Sequence, residues 1–171
     1  DSVRTQNVLE RQNAESVCPA HPWYRPNPRF LFRGKTTLVL MAGHFRILEE
    51  VALSDMAFEA TADTLSELCA VAAMAVIETM VDPDTVWPTA ERLIERDADD
   101  FPSLLFDWLS DIVYLKDADG LVFAKAEAVV TEPGAGRGWH LSGRLRGESI
   151  DPSRHTLHAD VKAVTKHLYD V

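Results

Sequence analysis

The chain has 171 residues, of which 46% are hydrophobic and 26% charged, with a formal net charge of −10. That is the profile of one folded domain with a single core, and it excludes a fibrous or globally disordered polymer. No apolar run approaches the ~18 residues of a membrane span, residues 38–42 and 68–77 being the longest candidates.

Charge is unevenly placed: residues 1–40 carry +3 and residues 41–171 carry −13. An acidic globular part repels phosphate backbones, so direct nucleic-acid binding is not expected, and a basic protein partner or a cation fits better. Cys18 stands in a polar stretch and Cys69 on an apolar helix face, so no disulfide is expected between them and a reducing, cytoplasmic compartment suits the chain.

In chain order, residues 1–35 place Pro19, Pro22, Pro26 and Pro28 among scattered Arg and Asn, a helix-breaking composition with little apolar periodicity. Asp1, Glu10 and Glu15 do not suit an acid-poor transit peptide. Met41 reads like a start, so residues 1–40 are expected to be a flexible extension and residues 41–171 the folded domain.

Phe45 and Ile47 alternate with Arg46 and Leu48, and Met56-Ala57-Phe58-Glu59-Ala60 continues extended after an interruption at 51–55, which predicts two short strands or one bulged strand. Thr64-Leu65-Ser66-Glu67 has capping-box form. Leu65, Leu68, Cys69, Ala72, Val76 and Met80 follow at three- and four-residue steps, giving one apolar stripe that stops before Asp82-Pro83. Met74 and Met80 are read as core filling rather than a flexible binding stripe.

A short strand is predicted over 92–95. The acidic run 97–100 then leads into a helix capped by Asp99 or Asp100, with Pro102 in its first turn and Leu104, Leu105, Trp108, Leu109, Ile112 and Val113 as its buried face. Residues 121–130 and 139–146 flank the turn-rich 132–138 and read as a hairpin, and a further strand is predicted over 161–165. Helices alternating with hairpins predict an α+β fold: a two-layer α/β sandwich with two main helices on a mostly antiparallel sheet.

Phosphate-loop, dinucleotide, nucleophile-elbow and paired-histidine zinc signatures are missing, which argues against an enzyme. Asp117-Ala118-Asp119-Gly120 is read as a helix-ending turn rather than a calcium loop, for lack of the later ligands. His155 and His158, with Asp151 and Asp160 nearby, are either metal donors or solvated loop histidines. Asp55 interrupts apolar sequence near a strand start: it either caps a turn or, with Asp170 and the terminal carboxylate of Val171, holds a hard divalent cation, calcium or magnesium.

Phe45-Arg46-Ile47-Leu48-Glu49, Ser54-Asp55-Met56-Ala57-Phe58-Glu59-Ala60 and Thr64-Leu65-Ser66-Glu67-Leu68 resemble the opening of archeases. Met80-Val81-Asp82-Pro83, Leu105-Phe106-Asp107-Trp108-Leu109-Ser110, Gly147-Glu148-Ser149-Ile150-Asp151-Pro152-Ser153-Arg154-His155 and Val161-Lys162-Ala163-Val164-Thr165-Lys166-His167 follow in the family's order, so the resemblance covers about 44–171. It implies a strand-helix-strand-strand core and an accessory protein that helps an RNA splicing ligase to become guanylylated and to turn over, without being the catalyst. It also implies a divalent cation on the motif Asp, here Asp55, and on an Asp next to the C-terminus. Arg154, His155 and Lys162 are the residues expected to face phosphate or the partner.

Two departures stand out. Ala52-Leu53-Ser54 replaces the family's His-Thr-Ala before the Asp, and archeases continue past the segment resembling 166–171 with one more strand ending in Asp and Val or Ile: either Asp170-Val171 substitutes for that ending or, as is rather expected, the last strand is truncated and the metal site incomplete. Such a chain could also be a protein-interaction or chaperone-like module that kept the fold without the ligase role.

Overall fold

A computed structural model describes residues 3–11, 43–48, 55–134 and 136–171. Seven strands and two helices are described: β1 Val3–Arg11, β2 His44–Leu48, β3 Asp55–Ala62, α1 Leu65–Met80, β4 Ala90–Ala98, α2 Phe101–Asp119, β5 Leu121–Thr131, β6 Trp139–Ser149 and β7 Val161–Asp170, with a 3-10 turn at Pro83–Thr85. They form a four-stranded sheet in the order β2-β3-β1-β7 and a three-stranded sheet in the order β4-β6-β5. Every adjacent pair is antiparallel. The fold is α+β, two helices packed against antiparallel sheets, as the alternation of elements implied.

Each helix starts where local chemistry directs. The Thr64 hydroxyl accepts from the Glu67 amide at 3.2 Å and opens α1, while Glu67 Oε2 is buried without a hydrogen-bond partner among the described residues. Asp100, not Asp99, caps α2, accepting from the Ser103 amide at 2.7 Å. All six expected core residues of α2 are buried. It ends on Gly120, whose φ of 62° supplies the left-handed C-cap that a β-carbon would disfavour.

The expectation of one apolar stripe understates α1. Ala70, Val71, Ala73, Ala75 and Ile77 are buried as well as Leu68, Cys69, Ala72, Val76 and Met80 of the stripe, with Leu65 half-buried, because α1 touches β1, β2 and β3 of the first sheet, β5 of the second, and α2. A helix enclosed from several sides must be apolar nearly all round, and its alanines let those neighbours approach closely. Met80 is buried and Met74 packs against the core, as the core-filling reading held.

Trp108 joins the layers. Fully buried, it donates from Nε1 to the Cys69 carbonyl of α1 at 3.0 Å and lies against β6 at Gly143, where a β-carbon would come 2.3 Å from its ring. Glycine there is a packing requirement.

The largest difference from the sequence reading concerns the N-terminus. Residues 3–11, expected to belong to a flexible extension, form β1, flanked by β3 on one side and β7 on the other. Thr5 is buried and donates from its hydroxyl to the Asp170 carbonyl at 3.0 Å, and Arg4 and Arg46 both pair with Glu59 of β3. The remaining part of that expected extension, with Cys18 and the prolines, lies outside the described residues, as does Ala52-Leu53-Ser54.

The other differences are lengths. The strand expected over 92–95 spans Ala90–Ala98, and that expected over 161–165 reaches Asp170. In β4 only Ile94 is buried, so alternation is faint and pairing with β6 sets the strand's extent.

Candidate functional site

Two loops meet at the end of β6, one following α1 and the other running from β6 to β7. They are joined by backbone bonds from Asp82 N to Thr156 O at 2.9 Å, from His158 N to Met80 O at 2.9 Å and from Ala159 N to Thr79 O at 3.0 Å. Between them lies Glu148. Its Oε1 accepts from the Trp87 amide at 2.5 Å and meets His155 Nε2 at 3.2 Å; its Oε2 pairs with Arg154 at 2.8 Å.

Arg154 also donates to the Thr85 carbonyl at 2.9 Å and stacks 4.0 Å from the Trp87 ring centroid. The His155 side chain is buried, and its Nδ1 accepts from the Asp151 amide at 3.0 Å. That bond puts the proton of the neutral ring on Nε2, facing Glu148. Desolvation works against the Glu148 carboxylate, but the Trp87 amide, Arg154 and His155 outweigh it and hold the group below the usual glutamate range.

The expected partner-facing residues thus divide. Arg154 and His155 converge on one carboxylate, whereas Lys162 stands elsewhere, at the start of β7. There Lys116 reaches Asp160 at 2.5 Å and Asp117 at 2.8 Å, and Lys162 reaches the same two at 2.9 and 3.5 Å. The Asp160 bond is the largest influence holding the Lys162 ammonium above the usual lysine range. Burial opposes ionisation of Asp160, and the two lysines reverse it, leaving its carboxyl below the usual range. A network of two cations and two anions is internally neutral.

The donor set suggested for a cation is not brought together. Asp55 stands opposite Glu10 of β1, while Asp170 stands opposite Gln6 on the other side of that strand. Four residues along β1 and two strand spacings across put their Cα atoms roughly 16 Å apart, too far to share one ion. Insertion of β1 between β3 and β7 is the physical cause. Val171 follows Asp170 and lies on the same far side.

Nor do His155 and His158 form a site with Asp151 and Asp160. His158 Nδ1 bonds the Glu78 carbonyl at 2.8 Å, the Asp151 carboxylate accepts from the Ser153 amide and hydroxyl, and Asp160 is held by lysines. Asp117 likewise serves the lysine network, and Asp117-Ala118-Asp119-Gly120 closes α2 rather than coiling around an ion. Cys69 is no nucleophile: burial pushes its thiol up to about 12.

Glu148, Trp87 and Lys116 were not singled out by sequence reasoning, and Asp160, weighed there as a metal donor, is instead held by Lys116 and Lys162. Glu148 meets Trp87 across 61 positions of chain, a separation that carries no periodic signal. The acidic character of residue 148 on a strand otherwise bearing outward Arg144 and Arg146 was the one local hint.

Together these features define an α+β domain whose polar groups are largely spent on one another and whose loops form a fixed surface. The Archease protein family model matches residues 45–171. The archease of Methanopyrus kandleri is 41% identical over 114 residues, covering 67% of this chain and 80% of that protein. That of Methanothermobacter thermautotrophicus is 34% identical over 118 residues, covering 69% and 82%. The solution structure of Methanobacterium thermoautotrophicum protein 1598 superposes with a TM-score of 0.60 at 32% identity, covering 72% of this chain and 85% of that one. The chain belongs to the archease family. Among the described residues no helix is long and apolar enough to cross a membrane.

Proposed function

We propose that this chain is a cytoplasmic accessory protein that activates an RNA splicing ligase, promoting its guanylylation and multiple turnover without catalysing either step. The observation that carries this reading is the archease match over residues 45–171, which takes in every described element except β1. The −13 charge of residues 41–171 supports docking on a basic protein surface rather than on RNA. The chain's own residues supply pre-organised contacts: Glu148, Arg154 and His155 hold two loops in one arrangement, so little ordering remains to be done on binding.

The pairing of β1 between β3 and β7 does not support one cation held jointly by Asp55, Asp170 and the Val171 carboxylate. The test is guanylylation and multiple-turnover ligation by the host's own ligase with and without the full chain. Faster guanylylation and more than one ligation per ligase are the expected outcome. An unchanged ligase would leave the interaction-module reading, which the Ala52-Leu53-Ser54 departure favours.

A further inference from the structure

Trp87 is 59% exposed. Yet its backbone is fixed at both ends of the residue: the amide donates to Glu148, and the carbonyl accepts from the Thr89 amide at 2.8 Å. One ring face is covered by the Arg154 guanidinium, itself tied to Glu148 and Thr85. The loop beneath is stitched to its neighbour by Asp82 N to Thr156 O, and by the Thr156 amide to the Thr85 hydroxyl at 3.2 Å. None of these bonds buries the indole; together they hold it out.

A large, rigid aromatic side chain backed by an arginine is the type of residue that dominates protein interfaces, because its ordering entropy is already spent. The two loops that carry Trp87 and Arg154 also bear Asp82, which starts the turn ahead of Trp87, and Asp151, near enough to Arg154 to feel its charge, while Glu148 pairs with Arg154 itself. A socket for this platform must therefore be apolar in its centre and basic at its rim.

We propose that Trp87 is a docking anchor for a protein partner, inserting into an apolar socket ringed by lysine or arginine. The proposal rests on the ligase-activator reading for the identity of that partner. The choice of a protein over a nucleobase, which could also stack on an indole, follows from the carboxylates of the same two loops and the −13 charge of residues 41–171, since a phosphate chain beside Asp82 and Asp151 would be repelled.

The test titrates the host ligase with the full chain and with Trp87→Ala, Trp87→Phe and, as control, Tyr114→Ala, a 66%-exposed aromatic on α2. Trp87→Ala leaves the amide bond to Glu148 available. It is expected to raise the half-stimulating concentration about tenfold or more with the plateau rate kept, Trp87→Phe to raise it less, and Tyr114→Ala not at all. Circular dichroism melts of the variants verify that each is folded. A benzophenone attached through Trp87→Cys adds a second readout, and it should cross-link to the ligase.

Wild-type stimulation with an unshifted Trp87→Ala curve, or no cross-link, overturns the anchor and leaves the activator reading standing. No stimulation by the wild-type chain removes the activator reading and, with it, the partner named here. Quenching of Trp87 by a short RNA that Trp87→Ala abolishes would replace the protein partner by a nucleobase and overturn the proposal.

Discussion

The two sheets are assembled from opposite kinds of sequence. The three-stranded sheet takes β4, β5 and β6 from one stretch of chain, and β4 pairs with β6 in unbroken register from Ala90↔Gly147 to Ala98↔Trp139. The four-stranded sheet brings β1 and β7 together from the two ends of the described chain, with register shifts on either side of their paired stretch. Closing that pair requires ordering the chain between them first, an entropic cost that pairings near in sequence largely avoid. The three-stranded sheet, α1 and α2 should therefore form the persistent unit, and the β1–β7 pairing should open first.

The comparison breaks most visibly at the residue that serves both halves. Trp108 is buried between α1 and β6, fills the space left by Gly143 and ties the two helices through the Cys69 carbonyl. Trp108→Ala should cost about 3–5 kcal/mol, the range for emptying a large aromatic site, and should unfold both sheets together in urea. Loss of amide protection confined to one sheet would show that the helices do not couple them.

Val8→Pro sharpens the same contrast. Val8 stands opposite Ala57 of β3 and Thr165 of β7, so proline there removes an amide from a strand paired on both sides and leaves an acceptor stranded, at about 1–3 kcal/mol. Hydrogen exchange should quicken along β1 and β7 while β5, β6 and α2 keep their protection. Equal loss everywhere would mean that the fold is one cooperative unit and that sequence distance has no bearing on its weak point.

The same division governs what could be read from the sequence. The start of α2 and its buried face depend on residues within a few positions of one another, namely Asp100, Pro102 and the paired apolar steps to Val113, so they were legible. β1 has no such signal: Val3-Arg4-Thr5-Gln6 alternates only weakly, and its reason for being extended is the vacancy between two distant strands. The site divides likewise. Arg154, His155 and their shared carboxylate Glu148 fell within one quoted run, but Trp87 joins them only by a contact across loops, and whether Asp55 and Asp170 could meet depended on strand order, which residue types alone do not specify.

The smallest effect concerns the loop platform under acid. Glu148 is held below the ordinary carboxylate range in the folded state by the Trp87 amide, Arg154 and His155, against desolvation. A depressed folded pKa means that the unfolded chain takes up the proton first, so the stabilisation is complete above the ordinary value of 4.5 and is lost as pH falls through the lower folded value. Glu148→Gln cannot titrate. Against the wild type it should be less stable at neutral pH, because Arg154 loses its anion, and that deficit should shrink below pH 4.5 as the wild type protonates. Melting both proteins from neutral pH down to about pH 3 would measure this convergence. Parallel curves would mean that Glu148 keeps the same charge relations folded and unfolded, and that the two loops are held by their backbone bonds alone.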